Sequence, residues 1–124
     1  MMYSEMDLYC KLFVETKMDR AALVRFLAQT VTGTENRSTI VSPWGEMDVM
    51  MNDDYDEERA ADPHDGFLYY RYYLDIEPAE DADPREYIKG IARMLEALWE
   101  SGAKAVAACD FEEELPRKGG IAGE

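Results

Sequence analysis

Histidine, cysteine and basic charge are scarce in this 124-residue chain, and each shortage removes a class of chemistry. The single histidine, His64, stands between Pro63 and Asp65 with no serine or cysteine constellation tied to it, so a nucleophile and base pair has no signature. Two cysteines, Cys10 and Cys109, are too few for a secreted disulfide framework and too distant in sequence for a metal knuckle, and they read as reduced core thiols. The eight glycines never take phosphate-loop spacing. No run approaches the ~20 apolar residues of a membrane helix, and Met1-Met2-Tyr3-Ser4-Glu5 lacks a basic and then apolar leader, so the expectation is a cytoplasmic protein.

What the chain does have is acid. Asp and Glu number 27 against 13 Lys and Arg, a formal charge of −14. Residues 46–83 hold fourteen of those acids against Arg59 and Arg71, so one third of the chain carries nearly the whole imbalance. Such a field repels nucleic acid and anionic lipid and attracts basic protein surfaces or cations. The apolar content of 47% nevertheless occurs in periodic runs, which requires a folded core.

Residues 7–15 alternate, with Leu8, Cys10, Leu12 and Val14 on one face and Tyr9, Lys11, Phe13 and Glu15 on the other, which predicts a strand. Asp19 then caps a helix whose stripe is Ala22, Leu23, Phe26, Leu27 and Val31, with Gly33 as its stop. Residues 37–42 and 46–52 flank the turn Ser42-Pro43-Trp44-Gly45 and predict a hairpin or one long bent strand. Residues 52–66 are acidic and aperiodic, a solvated loop with one helical turn at 57–61. Residues 67–77 read as the strongest strand, with Leu68, Tyr70, Tyr72, Leu74 and Ile76 facing inward. Asp83-Pro84-Arg85-Glu86 starts a second helix striped by Ile88, Ile91, Met94, Leu95, Leu98 and Trp99, and residues 104–111 make the last strand.

This order predicts an α+β fold of ferredoxin-like split βαβ type: an antiparallel sheet with two helices on one face and an extra hairpin or long bent strand. A single domain over 1–116 and a flexible tail over 117–124 complete the organisation. First and last strands should lie side by side near the sheet centre, which makes Cys10 and Cys109 candidate neighbours.

The open sheet face then carries Tyr9, Lys11, Phe13, Glu15, Phe67, Tyr69, Arg71, Tyr73 and Asp75. It lacks the glycine- and aromatic-rich motif and basic surroundings of an RNA-recognition sheet, so nucleic acid is not an expected partner. The loop Asn52-Asp53-Asp54-Tyr55-Asp56-Glu57-Glu58 invites a calcium reading, but no frame meets the EF-hand spacing, and neither metal nor cofactor is expected. Asn52-Asp53-Asp54-Tyr55-Asp56, Tyr69-Tyr70-Arg71-Tyr72-Tyr73-Leu74, Leu98-Trp99-Glu100-Ser101-Gly102 and Val106-Ala107-Ala108-Cys109-Asp110-Phe111-Glu112 together resemble the small acidic immunity proteins of bacterial polymorphic toxin systems, or an uncharacterised bacterial family of similar size.

The expected function is therefore a non-enzymatic acidic binding protein that caps a basic protein surface, a toxin if the resemblance holds. Its partner-binding candidates are Asp53, Asp54, Asp56, Glu57, Glu58, Tyr69, Arg71 and Tyr73. The alternative is a small-molecule-binding or catalytic ferredoxin-like domain, dimeric in one version, with a closed, partly apolar cavity lined by Tyr70, Tyr72 or Trp44. A homodimer through the open sheet face is a third reading.

Overall fold

A computed structural model describes residues 6–120, so the leader expectation at residues 1–5 and the tail expectation at 121–124 lie outside the described residues. Six strands, β1 (Cys10–Glu15), β2 (Thr34–Asn36), β3 (Thr39–Val41), β4 (Gly45–Met51), β5 (Tyr72–Pro78) and β6 (Lys104–Cys109), form one sheet in the order β2-β3-β4-β5-β1-β6. Every neighbouring pair is antiparallel. It follows that β1 and β4 run the same way with β5 between them, and that β5 and β6 do so with β1 between them. The fold class is α+β, as the element order predicts. First and last strands are adjacent, but β6 lies at the edge of the sheet rather than near its centre.

Helix α1 (Arg20–Val31) begins as its sequence dictates, with the Asp19 carboxylate accepting the Ala22 N–H at 2.9 Å. Its end differs from expectation. Thr32, at φ 54°, is the left-handed residue, and Gly33 follows it, its N–H bonding the Ala28 carbonyl at 2.8 Å. Helix α2 (Pro84–Glu100) has Asp83 as cap, accepting from Arg85 N–H at 2.9 Å, and closes through Gly102 at φ 93°.

Both helices share one apolar core with one face of the sheet. Leu12, Val14, Ile40, Met47, Val49, Leu74, Ile76 and Ala107 meet Leu23, Leu27, Ile91, Met94, Leu95 and Leu98 there, all fully buried or nearly so. Burial of each large aliphatic chain contributes about 1.5–3 kcal/mol, which makes this layer the main source of stability.

Several element boundaries depart from the sequence pattern. The hairpin alternative holds, closed by Ser42, whose hydroxyl donates to Gly45 O at 2.9 Å and accepts from Gly45 N–H at 3.1 Å. An unanticipated β2 pairs with β3 through a tight turn that holds Arg37 at φ 58°. β1 starts at Cys10 because the Asp7 carboxylate captures the Tyr9 N–H in a turn. β6 stops at Cys109, whose N–H goes to the Glu112 carboxylate and so opens a 3-10 turn, Glu112–Glu114. The largest departure is at residues 66–71. β5 begins at Tyr72, and Gly66–Tyr69 is a 3-10 turn in which Gly66 packs directly on the Ala60 carbonyl, where a Cβ would stand at 2.4 Å. Residues 117–120, counted above with the tail, lie against β6 and α2: Arg117 stacks 4.6 Å over Trp99, and Gly119 is buried.

Candidate partner-binding site

Between β4 and β5 the acidic segment is held by its own Asx side chains. Asn52 is the hub. Its amide nitrogen donates to Leu68 O at 3.0 Å and Tyr70 O at 2.7 Å, and its side-chain oxygen accepts the Asp54 N–H at 3.0 Å. Its backbone N–H donates to Arg71 O, closing the base of the loop. Asp56 accepts from Glu58 and Arg59 N–H at 3.0 and 3.1 Å, and the 3-10 turn Arg59–Ala61 follows, within the predicted helical turn. Asp62 repeats the device with His64 N–H at 2.8 Å, and those amide bonds from His64 and Asp65 hold its carboxyl below the usual range. The acid-rich composition therefore does two jobs, some carboxylates folding the backbone and others remaining free.

Removing the hub has a defined result. Asn52→Ala deletes three side-chain hydrogen bonds and should destabilise the loop by about 1–2 kcal/mol. Amide exchange should accelerate across residues 52–70 and stay unchanged in β1. Unaltered exchange in the loop would show that the backbone holds itself.

The candidate residues divide into three groups. Asp53, Asp54, Glu57 and Glu58 are exposed, and among the described residues their carboxylates make no hydrogen bond or ion pair. Asp56 is occupied by the turn and lies 3.8 Å from the Arg59 guanidinium, a surface pair of small energetic worth. Tyr69 sits on the same loop, with Arg59 5.3 Å over its ring. Arg71 and Tyr73 are engaged elsewhere. The Arg71 guanidinium donates to the Tyr55 hydroxyl at 3.1 Å, lies 4.9 Å from that ring's centre and pairs with Glu15 at 3.7 Å, while its backbone N–H reaches Glu15 at 2.9 Å. Tyr73 lies on the open face with Lys11 4.3 Å over its ring. Sequence reasoning missed Asn52 and Glu15 as organisers. An asparagine opening an Asp-rich turn is a readable signal for the first, whereas nothing local marks Glu15.

The loop also covers part of the open sheet face. Phe67 packs edge-on against Phe13 at 5.3 Å, leaving Phe13 only 6% exposed. Between loop and sheet lies a cleft of about 310 Å³ lined by Ala61, His64, Phe67, Tyr70, Lys104 and Val106. A neighbouring cleft of about 290 Å³ is lined by Glu15, Lys17, Glu57, Tyr70, Arg71 and Lys104. Burial, with the Glu15 charge behind it, pushes the Tyr70 phenol up. Of the three aromatic residues expected to line a cavity, Tyr70 does. Trp44 and Tyr72 belong to the core instead, Tyr72 donating its hydroxyl to Met18 O at 2.9 Å.

Among the described residues no group of three or more His, Cys, Asp or Glu is placed to hold a metal ion, and no helix is long and apolar enough to cross a membrane. No family model, curated protein or solved structure matches the chain.

Proposed function

We propose that this protein is a non-enzymatic binding protein of the cytoplasm that caps a basic surface on a protein partner, in the manner of an immunity protein blocking a toxin. One observation carries the reading: Asp53, Asp54, Glu57 and Glu58 stand exposed and unpaired within six positions of a loop whose backbone is already fixed by Asn52, Asp56 and Asp62. A prefolded loop loses little conformational freedom on binding, and its field accelerates encounter with a basic partner. Tyr69 adds an aromatic contact beside the acids; Arg71 and Tyr73 act as supports within the protein.

The scaffold supports a ferredoxin-like assignment. β1, α1, β4, β5, α2 and β6 form two interleaved strand-helix-strand units with central order β4-β5-β1-β6, and β2-β3 is an added hairpin.

Co-expression with the product of the neighbouring gene tests the function. A stable complex and relief of toxicity are expected; no complex and no relief would overturn it. Asp53→Asn, Asp54→Asn, Glu57→Gln and Glu58→Gln combined should slow association at least tenfold and flatten its salt dependence, while unfolding free energy stays within about 0.5 kcal/mol.

A second reading, a small-molecule site, is favoured by the clefts around Tyr70 and Lys104, where Lys17, Arg71, Lys104 and a desolvated phenol face open space. Self-association through the open face draws on exposed Met50, paired across the sheet with Tyr73, and light scattering decides it.

A further inference from the structure

We propose that Cys10 and Cys109 form a reversible dithiol–disulfide site whose oxidant is a peroxide. Register places Cys10 directly opposite Cys109 across β1 and β6, on the core-facing side that also pairs Leu12 with Ala107. Antiparallel pairs alternate between hydrogen-bonded and non-hydrogen-bonded positions, and this is one of the latter. The carbonyl of Ala105, of the same parity along β6, turns outward to the Trp99 indole at 3.1 Å, and the Cys109 N–H turns outward to Glu112. At such positions the Cα atoms stand about 4.5 Å apart, with side chains at their closest. A disulfide spans about 4.4–6.8 Å between Cα atoms, so the bridge closes without moving either strand.

The two thiols are unequal, which gives the reaction a direction. Cys10 is 0% exposed, whereas Cys109 is partly open to solvent at the end of β6. The neighbouring Cys10 thiol, with the Phe111 backbone N–H, holds the Cys109 thiol below its ordinary value. The same thiol contact, with burial, pushes Cys10 up. Cys109 is thus the attacking sulfur and Cys10 the resolving one.

In the first step the Cys109 thiolate attacks one peroxide oxygen and the O–O bond breaks. The sulfur becomes a sulfenic acid, and the departing hydroxide takes a proton to leave as water. In the second step the Cys10 sulfur attacks the Cys109 sulfur. The S–O bond breaks, and the Cys10 proton leaves with that hydroxide as a second water. Two thiols and one hydrogen peroxide give one disulfide and two waters. Cys109 is partly exposed, so an added dithiol reaches the bridge by thiol–disulfide exchange at that sulfur and returns both thiols.

The test treats the folded full chain with hydrogen peroxide and follows intact mass. Expected are a loss equal to two hydrogen atoms, a peptide map linking Cys10 to Cys109 within one chain, and full reversal by dithiothreitol. Cys10→Ser should instead gain oxygen at Cys109, since the resolving sulfur is gone. In the untreated protein, iodoacetamide should alkylate Cys109 at least about tenfold faster than Cys10. If Cys10→Ser does not fold, the wild-type mass and map still decide. Oxygen gain without hydrogen loss, links only between chains, or two titratable thiols surviving peroxide would each overturn the proposal. None of these readouts involves the acidic loop, so they stand or fall separately from the binding function.

Discussion

Tyr87→Ala is expected to cost about 4 kcal/mol and to leave much of the protein unfolded at moderate denaturant. Tyr87 is fully buried where β1, β5 and α2 converge. Its ring meets Trp44 edge-on at 5.8 Å and Phe111 at 6.0 Å, and its hydroxyl is shared between Leu8 O at 2.5 Å and Ile76 O at 3.0 Å. Tyr87→Phe separates the two contributions: it keeps the aromatic packing, abandons buried carbonyl oxygens and should cost about 1–2 kcal/mol in urea unfolding. A loss as large for Phe as for Ala would mean the hydroxyl, not the ring, holds the junction. The alkaline limb gives a further check. Burial raises the Tyr87 phenol, so its contribution is complete below the ordinary value of about 10 and is lost as pH climbs beyond it. Tyr87→Phe should therefore reduce the slope of stability against pH above 10 without removing it, because Tyr9 and Tyr70 are raised as well.

Gly90→Ala is expected to destabilise the protein by about 2 kcal/mol, although alanine is the better helix former by roughly 1 kcal/mol. Gly90 lies in the middle of α2, and its missing side chain is where the Trp44 indole lies: an added Cβ would stand 2.2 Å from Trp44 Cε2 and 2.3 Å from Cζ2. The indole has little room to yield, since Tyr87 packs edge-on against it at an interplanar angle of 69°. In a Trp44→Leu background the same substitution should regain its helix benefit and become neutral or stabilising. A wild-type midpoint for Gly90→Ala alone would show that the indole swings aside freely.

These two positions mark a limit of reading from sequence. Helix α2 was legible because its signals are local: the Asp83 cap, Pro84 behind it, and a stripe at helical spacing. That Gly90 is a seat for Trp44, 46 positions earlier, has no local trace. The same division explains residues 66–71, where the aromatic alternation argues for a strand. What overrides it is an amide side chain 16 and 18 positions upstream, pulling the Leu68 and Tyr70 carbonyls toward Asn52. β2 escaped notice because its turn rests on Arg37 at positive φ rather than on Asn-Gly. At the site, composition found the exposed acids, since residues 46–83 carry fourteen acids against only Arg59 and Arg71. It did not separate Asp56, spent on the backbone, from its unpaired neighbours, nor show that Arg71 belongs to Glu15.

The two borders of the sheet bear on how the protein behaves at high concentration. A bare strand border offers unpaired amides and carbonyls as a template on which another chain can add, the first step of fibril growth. Along β6 the Ala105 carbonyl is already taken by the Trp99 indole, and residues 116–120 lie so close that a Cβ at Gly119 would stand 2.9 Å from Ala107 O. The opposite border, β2, is three exposed residues long with Glu35 at its centre, paired at 3.7 Å to Arg25. One border is plugged and the other is too short and too charged to recruit a strand. A protein built this way should remain dispersed under conditions that drive open-bordered sheets into aggregates, and its encounters with other proteins are left to its loop and faces.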